Sequence, residues 1–109
     1  LPLREINLSE IGTLNFYEPD VTKYPALELG YNVIRHGGLA GAAFNAAKEE
    51  ALDNFLNLKL SFPGMSDVVS ATMDELTASN KLDQVVELEA VMEIDLLARS
   101  VAKQYVEKY

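Results

Sequence analysis

Between Leu39 and Leu52 the chain reads Leu39-Ala40-Gly41-Ala42-Ala43-Phe44-Asn45-Ala46-Ala47-Lys48-Glu49-Glu50-Ala51-Leu52, and few architectures accept such a run. Alanine is the strongest helix former because its side chain has no rotamer freedom to lose. Small side chains also let two helix backbones approach closely. The single amide in the run, Asn45, must find a partner if its face is covered. It therefore reads as either a structural bond across helices or a ligand contact. Glu49 lies one turn further on, and the pair together suits backbone groups of a facing helix or of the preceding loop.

Helix signals surround this run. A first helix is predicted from about Tyr24, with Pro25 at the first helical position and Asp20 or Thr22 as upstream cap. It carries Leu27, Tyr31 and Ile34 at helical spacing and stops at Gly37-Gly38. The alanine helix is predicted over about Leu39 to Leu58, with Ala40, Phe44, Ala47, Ala51, Phe55 and Leu58 as its stripe, broken by Ser61-Phe62-Pro63-Gly64. A third helix is predicted after Ser66 as cap, carrying Val68, Val69, Thr72, Met73 and Leu76, with Thr77 to Asn80 as connector. Asn80 followed by Asp83 resembles a capping box. The glycine- and proline-free stretch from Leu82 to about Lys108 reads as a fourth helix, continuous or restarting near Asp95. No stretch alternates as a half-buried strand does. Residues 1–23, with Pro2, Gly12 and Pro19 among Leu3, Ile6, Leu8, Ile11, Leu14 and Phe16, read as an irregular lead-in with at most a helical turn near Ser9. The fold class expected is all-α: a four-helix bundle-like domain over 24–109 preceded by a connector over 1–23.

The bulk numbers narrow the function classes. The 109 residues make one domain with a modest core. Seventeen acidic against nine basic residues, a net charge of -8, argue against nucleic acid or an anionic membrane as partner, because phosphate binding needs clustered Lys and Arg. With no cysteine there is no disulfide, thiolate chemistry or cysteine metal site, which fits a reducing compartment. No apolar run approaches the ~20 residues of a membrane span. The chain opens Leu1-Pro2-Leu3 without an initiator methionine, as a piece of something longer would.

Few residues carry chemistry. His36 is the sole histidine, so any histidine-based dyad or triad must use it; at a helix end beside Gly37 it reads as structural, favoured there by the helix dipole. A dinuclear carboxylate site needs Glu-x-x-His on two helices, and here Val33 precedes His36 by three. Glu49 with Asp53, and Glu89 with Glu93, place paired carboxylates on one helix face, but nothing supplies the further oxygens a hard cation takes. Both pairs read as solvated faces. Gly37, Gly38 and Gly41 lack the loop lysine and preceding strand of a phosphate loop. Tyr24, Tyr31, Tyr105 and Tyr109 read as amphipathic residues at the core edge. No catalytic, cofactor-binding or metal-binding residue is assigned.

One combination is more specific. Leu14-Asn15-Phe16-Tyr17-Glu18-Pro19-Asp20, the Tyr24-Pro25 pair, Gly37-Gly38, Phe44-Asn45-Ala46-Ala47-Lys48-Glu49, the Phe55-Leu56 and Leu60/Phe62 connector and Asp95-Leu96-Leu97-Ala98-Arg99 occur in this order. This order resembles the C-terminal helical domain of the 1-deoxy-D-xylulose 5-phosphate reductoisomerases. Lys48 stands where that family usually has Asn, and the stretch from Thr77 through Glu93 is longer than usual.

The resemblance implies a parent enzyme that uses NADPH and a divalent metal, Mg or Mn, to form 2-C-methyl-D-erythritol 4-phosphate for isoprenoid synthesis, in the cytoplasm or, in a plant-type source, the plastid. It implies that cofactor, metal and substrate are held upstream. This chain would then be an inactive supporting arm whose partner is the catalytic domain of the same polypeptide. Self-association is expected of the fragment if its docking patch lies bare. The alternative is a stand-alone acidic helical protein-interaction module.

Overall fold

The computed structural model describes residues 2–109. Its elements are α1 (Leu8–Ile11), α2 (Pro25–His36), α3 (Ala40–Leu56), α4 (Phe62–Ala78) and α5 (Leu88–Val106), and no strand occurs among the described residues. The all-α class is as expected. Helix α3 is the centre, packed on α5 and α4, which also pack on each other; α2 lies against α3 and α4.

The alanine run explains this order. Ala40, Ala43, Ala46, Ala47 and Ala51 are buried along α3, and Ala98 and Ala102 are buried on α5. Seams made of such short side chains bring helix backbones close, and larger residues fill the volume around them: Leu39, Leu60, Val68, Leu76, Leu82 and Ile94. Among the described residues Thr72 is the one buried polar side chain, and its hydroxyl donates to the Val68 carbonyl 2.8 Å away, one turn back in α4. Phe44 and Phe55 of the expected stripe are half-buried, but Leu58 is 93 % exposed. Leu58 adopts a left-handed conformation (φ 59°) just past the helix, and the Lys59 amide closes back on the Asn54 carbonyl at 2.9 Å. The chain turns there before Leu58 can complete the stripe.

Helix α2 begins and ends as predicted, with Pro25 in the first turn and Gly37 (φ 72°) donating its amide to the Val33 carbonyl at 3.0 Å. Its facing is reversed. Leu29 and Val33 pack on the core, whereas Leu27, Tyr31 and Ile34 are exposed. The helix is apolar on two sides, so spacing alone does not choose between them. Nor does Asp20 or Thr22 cap it. Asp20 Oδ1 accepts from the Thr22 hydroxyl at 2.6 Å and from the Thr22 and Lys23 amides at 2.9 and 3.2 Å, shaping the turn before the helix. The Thr22 hydroxyl first, then the two amides, hold the Asp20 carboxyl below its ordinary range.

Helix α4 starts five residues earlier than the Ser66 cap predicts. Ser61 is the cap, its hydroxyl accepting from the Gly64 amide at 3.1 Å, and Pro63 lies in the first turn. A proline costs nothing there, since the amide it lacks has no partner in the helix. The Ser61-Phe62-Pro63-Gly64 stretch thus starts one helix as well as ending another. Phe62 stands edge-on to Phe55, ring centres 5.8 Å apart, across the α3–α4 turn.

The last helix is shorter than predicted. Asn80 does not open it; in the left-handed conformation (φ 54°) it closes α4, with the Lys81 amide on the Leu76 carbonyl at 3.0 Å. Residues 82–87 form no helix, α5 starts after Glu87, and there is no restart at Asp95. Leu82 is turned inward to 1 % exposure, and its carbonyl accepts the Leu39 amide at 3.0 Å. Continuing a helix through Leu82 would forfeit both.

Every residue from 2 to 28 is exposed. In this segment α1 is the single turn expected near Ser9, with Asn7 Oδ1 accepting the Ser9 amide at 3.1 Å.

Candidate functional site

Polar side chains from different elements meet in several places, among them a long pair of Lys103 Nζ on α5 with Glu50 Oε2 on α3 at 3.8 Å. The largest cluster joins α3 to α5. Arg99 grips Asp95, one turn back, with Nε to Oδ2 at 2.8 Å and Nη2 to Oδ1 at 3.2 Å, and reaches Glu49 Oε2 at 2.7 Å. Glu49 Oε1 accepts in turn from the Asn45 amide at 3.0 Å. Hydrogen bonds to Asp95 and then to Glu49 raise the Arg99 pKa above its ordinary value. Hydrogen bonds from Arg99 first and from Asn45 second hold Glu49 below the usual carboxylate range.

This corrects the reading of Asn45. The amide is exposed and bonds within its own helix; the bond that crosses helices is the Glu49–Arg99 pair. An Asn45→Leu substitution should accordingly change the unfolding free energy read by urea titration little, by under about 0.5 kcal/mol, as for surface changes generally. The acid limb is the sharper test of the pair. A carboxylate with a depressed folded pKa stabilises the fold above its unfolded value, here 4.5, and that contribution is lost as pH falls through the folded pKa. Stability measured downward from pH 4.5 should therefore fall less steeply in Glu49→Gln than in the parent chain.

His36, at the end of α2, places Nε2 2.9 Å from Asp83 Oδ1 in the α4–α5 loop. Another meeting is at Tyr105, which donates its hydroxyl to Glu75 Oε2 at 2.8 Å; Glu75 raises the phenol pKa by accepting from its neutral form. Sequence reasoning missed Asp83 and Glu75 as partners. The i, i+4 spacings of Asn45 with Glu49 and of Asp95 with Arg99 were there to find.

The paired acids do not gather further. Among the described residues no three His, Cys, Asp or Glu side chains come together as a metal site. No strand there leads Gly37-Gly38 into a phosphate loop. The acidic side chains among the described residues do not form the oxygen cage that a hard divalent cation takes. No helix among the described residues is long and apolar enough to cross a membrane. A groove of about 790 Å³ runs beside α2, α3 and α4, lined by Tyr24, Leu29, Phe44, Leu52, Phe62 and Met65, with Lys23, Lys48 and Asp67 also on its wall. Its lining is mostly apolar, with Thr22 and Ser66 among its few polar residues.

Such an architecture defines a class: an all-α domain whose cross-helix polar side chains join its own helices. The chain belongs to the DXP reductoisomerase C-terminal domain family, whose profile matches residues 2–101. It is 44 % identical over 103 residues to the 1-deoxy-D-xylulose 5-phosphate reductoisomerase of Jannaschia sp. (strain CCS1), covering 94 % of this chain and 26 % of that protein. The reductoisomerase of Ruegeria sp. (strain TM1040) is 43 % identical over 107 residues, 97 % of this chain and 27 % of that protein. That of Aromatoleum aromaticum is 40 % identical over 101 residues, 93 % of this chain and 24 % of that protein. The chain thus spans about a quarter of the length of the curated relatives it matches.

Proposed function

We propose that this chain is the C-terminal helical domain of a 1-deoxy-D-xylulose 5-phosphate reductoisomerase. The parent would convert that sugar phosphate to 2-C-methyl-D-erythritol 4-phosphate with NADPH and a divalent metal, in non-mevalonate isoprenoid synthesis. The observation that carries the reading is the family match along nearly the whole chain. In such a parent NADPH would supply reducing equivalents and the metal Lewis acidity, and residues of the preceding part of the polypeptide would hold both. What this chain supplies is rigidity. Residues 1–23 serve as the connector and 24–109 as the bundle that buttresses the catalytic domain. Alanine seams and the Arg99 clamp fix its helices against one another, and catalytic geometry elsewhere depends on such fixed supports.

The test is turnover. Supplied with the sugar phosphate, NADPH and Mg²⁺ or Mn²⁺, the 109-residue chain should oxidise no NADPH above the protein-free rate, whereas the longer polypeptide should turn over and lose activity when this domain is deleted. Turnover by the isolated chain, or full activity without the domain, overturns the proposal.

A further inference from the structure

We infer that the outward face of the first half of α5 is the surface that docks on the preceding part of the polypeptide, and that the face it meets is apolar with a rim of Lys or Arg. This rests on the reading above that the chain is one domain of a longer enzyme. Leu88, Met92 and Leu96 follow one another at i, i+4 and i+8, so they form one line along the helix. They are 69, 60 and 69 % exposed, and Val85 and Val86, leading in, are 74 and 62 % exposed. The opposite side of the same helix is the one already buried, through Ile94, Ala98, Val101 and Ala102. A contiguous exposed apolar line of this kind marks an interaction surface.

Charge selects the occupant. Glu87 stands at the head of the line, and Glu89 and Glu93 flank it one position on; all three are exposed and none has a cation within salt-bridge distance among the described residues. Glu89 and Glu93 are one turn apart, a repulsive spacing on a helix. The nearest cation along α5, Arg99, is already held by Asp95 and Glu49. A basic rim on the partner relieves this repulsion while its centre covers the leucines and methionine. A second copy of this chain brings the same acids to the same place, so it is the wrong occupant. The groove beside α2 offers no comparable choice, because Lys23, Lys48 and Asp67 on its wall mix the two signs.

The methionines report on this directly. Met92 is 60 % exposed and Met73 9 %, and thioether oxidation follows access. In the longer polypeptide treated with dilute peroxide, Met92 should oxidise as slowly as Met73. Reversing the rim with Glu89→Lys and Glu93→Lys should speed Met92 several-fold while Met73 stays slow, which shows the bundle still folded. Rapid Met92 oxidation in the unsubstituted protein overturns the inference, as does protection that survives the charge reversal. Protection that appears only at high protein concentration assigns the face to a second copy and also overturns it. Turnover of the sugar phosphate is read separately on the same protein, so a docked but inactive polypeptide would retain this surface and sink the proposed activity alone.

Discussion

Replacing Gly38 by alanine should lower the stability of the domain by about 2–4 kcal/mol, combining left-handed strain with a lost backbone hydrogen bond. Gly38 sits between α2 and α3 at φ 54°, and a β-carbon there would stand 2.5 Å from the Leu82 carbonyl oxygen. That oxygen is backbone, and it already accepts the Leu39 amide at 3.0 Å, so it cannot yield without breaking the bond that ties the α4–α5 loop to the start of α3. Gly30→Ala is the control: Gly30 lies inside α2, has no positive φ, and nothing lies within 4 Å of an added β-carbon. It should stabilise by about 0.5–1 kcal/mol by raising helix propensity. Urea unfolding of both variants measures the pair, and a Gly38→Ala midpoint equal to that of the parent chain would show that the loop is not anchored there.

The second large effect is expected at the other side of the same contact. Leu82→Ala should cost about 2–5 kcal/mol, the range for emptying a fully buried leucine site. Leu82 is one of the largest fully buried side chains although it stands in a loop. Its removal also loosens Asp83 from His36. Gly38→Ala and Leu82→Ala act on one junction, so the double variant should lose less than the two single losses added together. Strict additivity in a thermal or urea cycle would mean that the two residues act independently.

What could be read from sequence was whatever local chemistry decides alone. Pro25 and Gly37 bound α2 because a ring-locked φ and a left-handed turn leave little choice. The alanine run is a helix with five buried alanines, as small side chains that admit a close neighbour imply. The errors fall where two local readings compete and a distant contact decides. Ser61-Phe62-Pro63-Gly64 suits a helix end and a helix start equally, and here it is both. Asn80 can cap a following helix or close a preceding one. Residues 82–87 lack any breaker, yet Gly38 and Leu39, more than forty positions away, take Leu82 out of the helix. Asn45 invited a buried role because its neighbours are buried, but its own direction on α3 is outward. Which of the two apolar sides of α2 turns inward likewise depends on α3 and α4, not on α2.

The alanine seams also govern how this domain responds to temperature. Each buried methyl removes less apolar surface from water than a leucine would, and the exposed residues 2–28 add length with little burial. Unfolding therefore uncovers less apolar surface than a typical chain of 109 residues conceals. Because the heat-capacity change of unfolding follows that surface, it is small here, and the curve of stability against temperature is correspondingly broad and shallow. A domain built in this way should lose little of its folding stability between cold and warm surroundings.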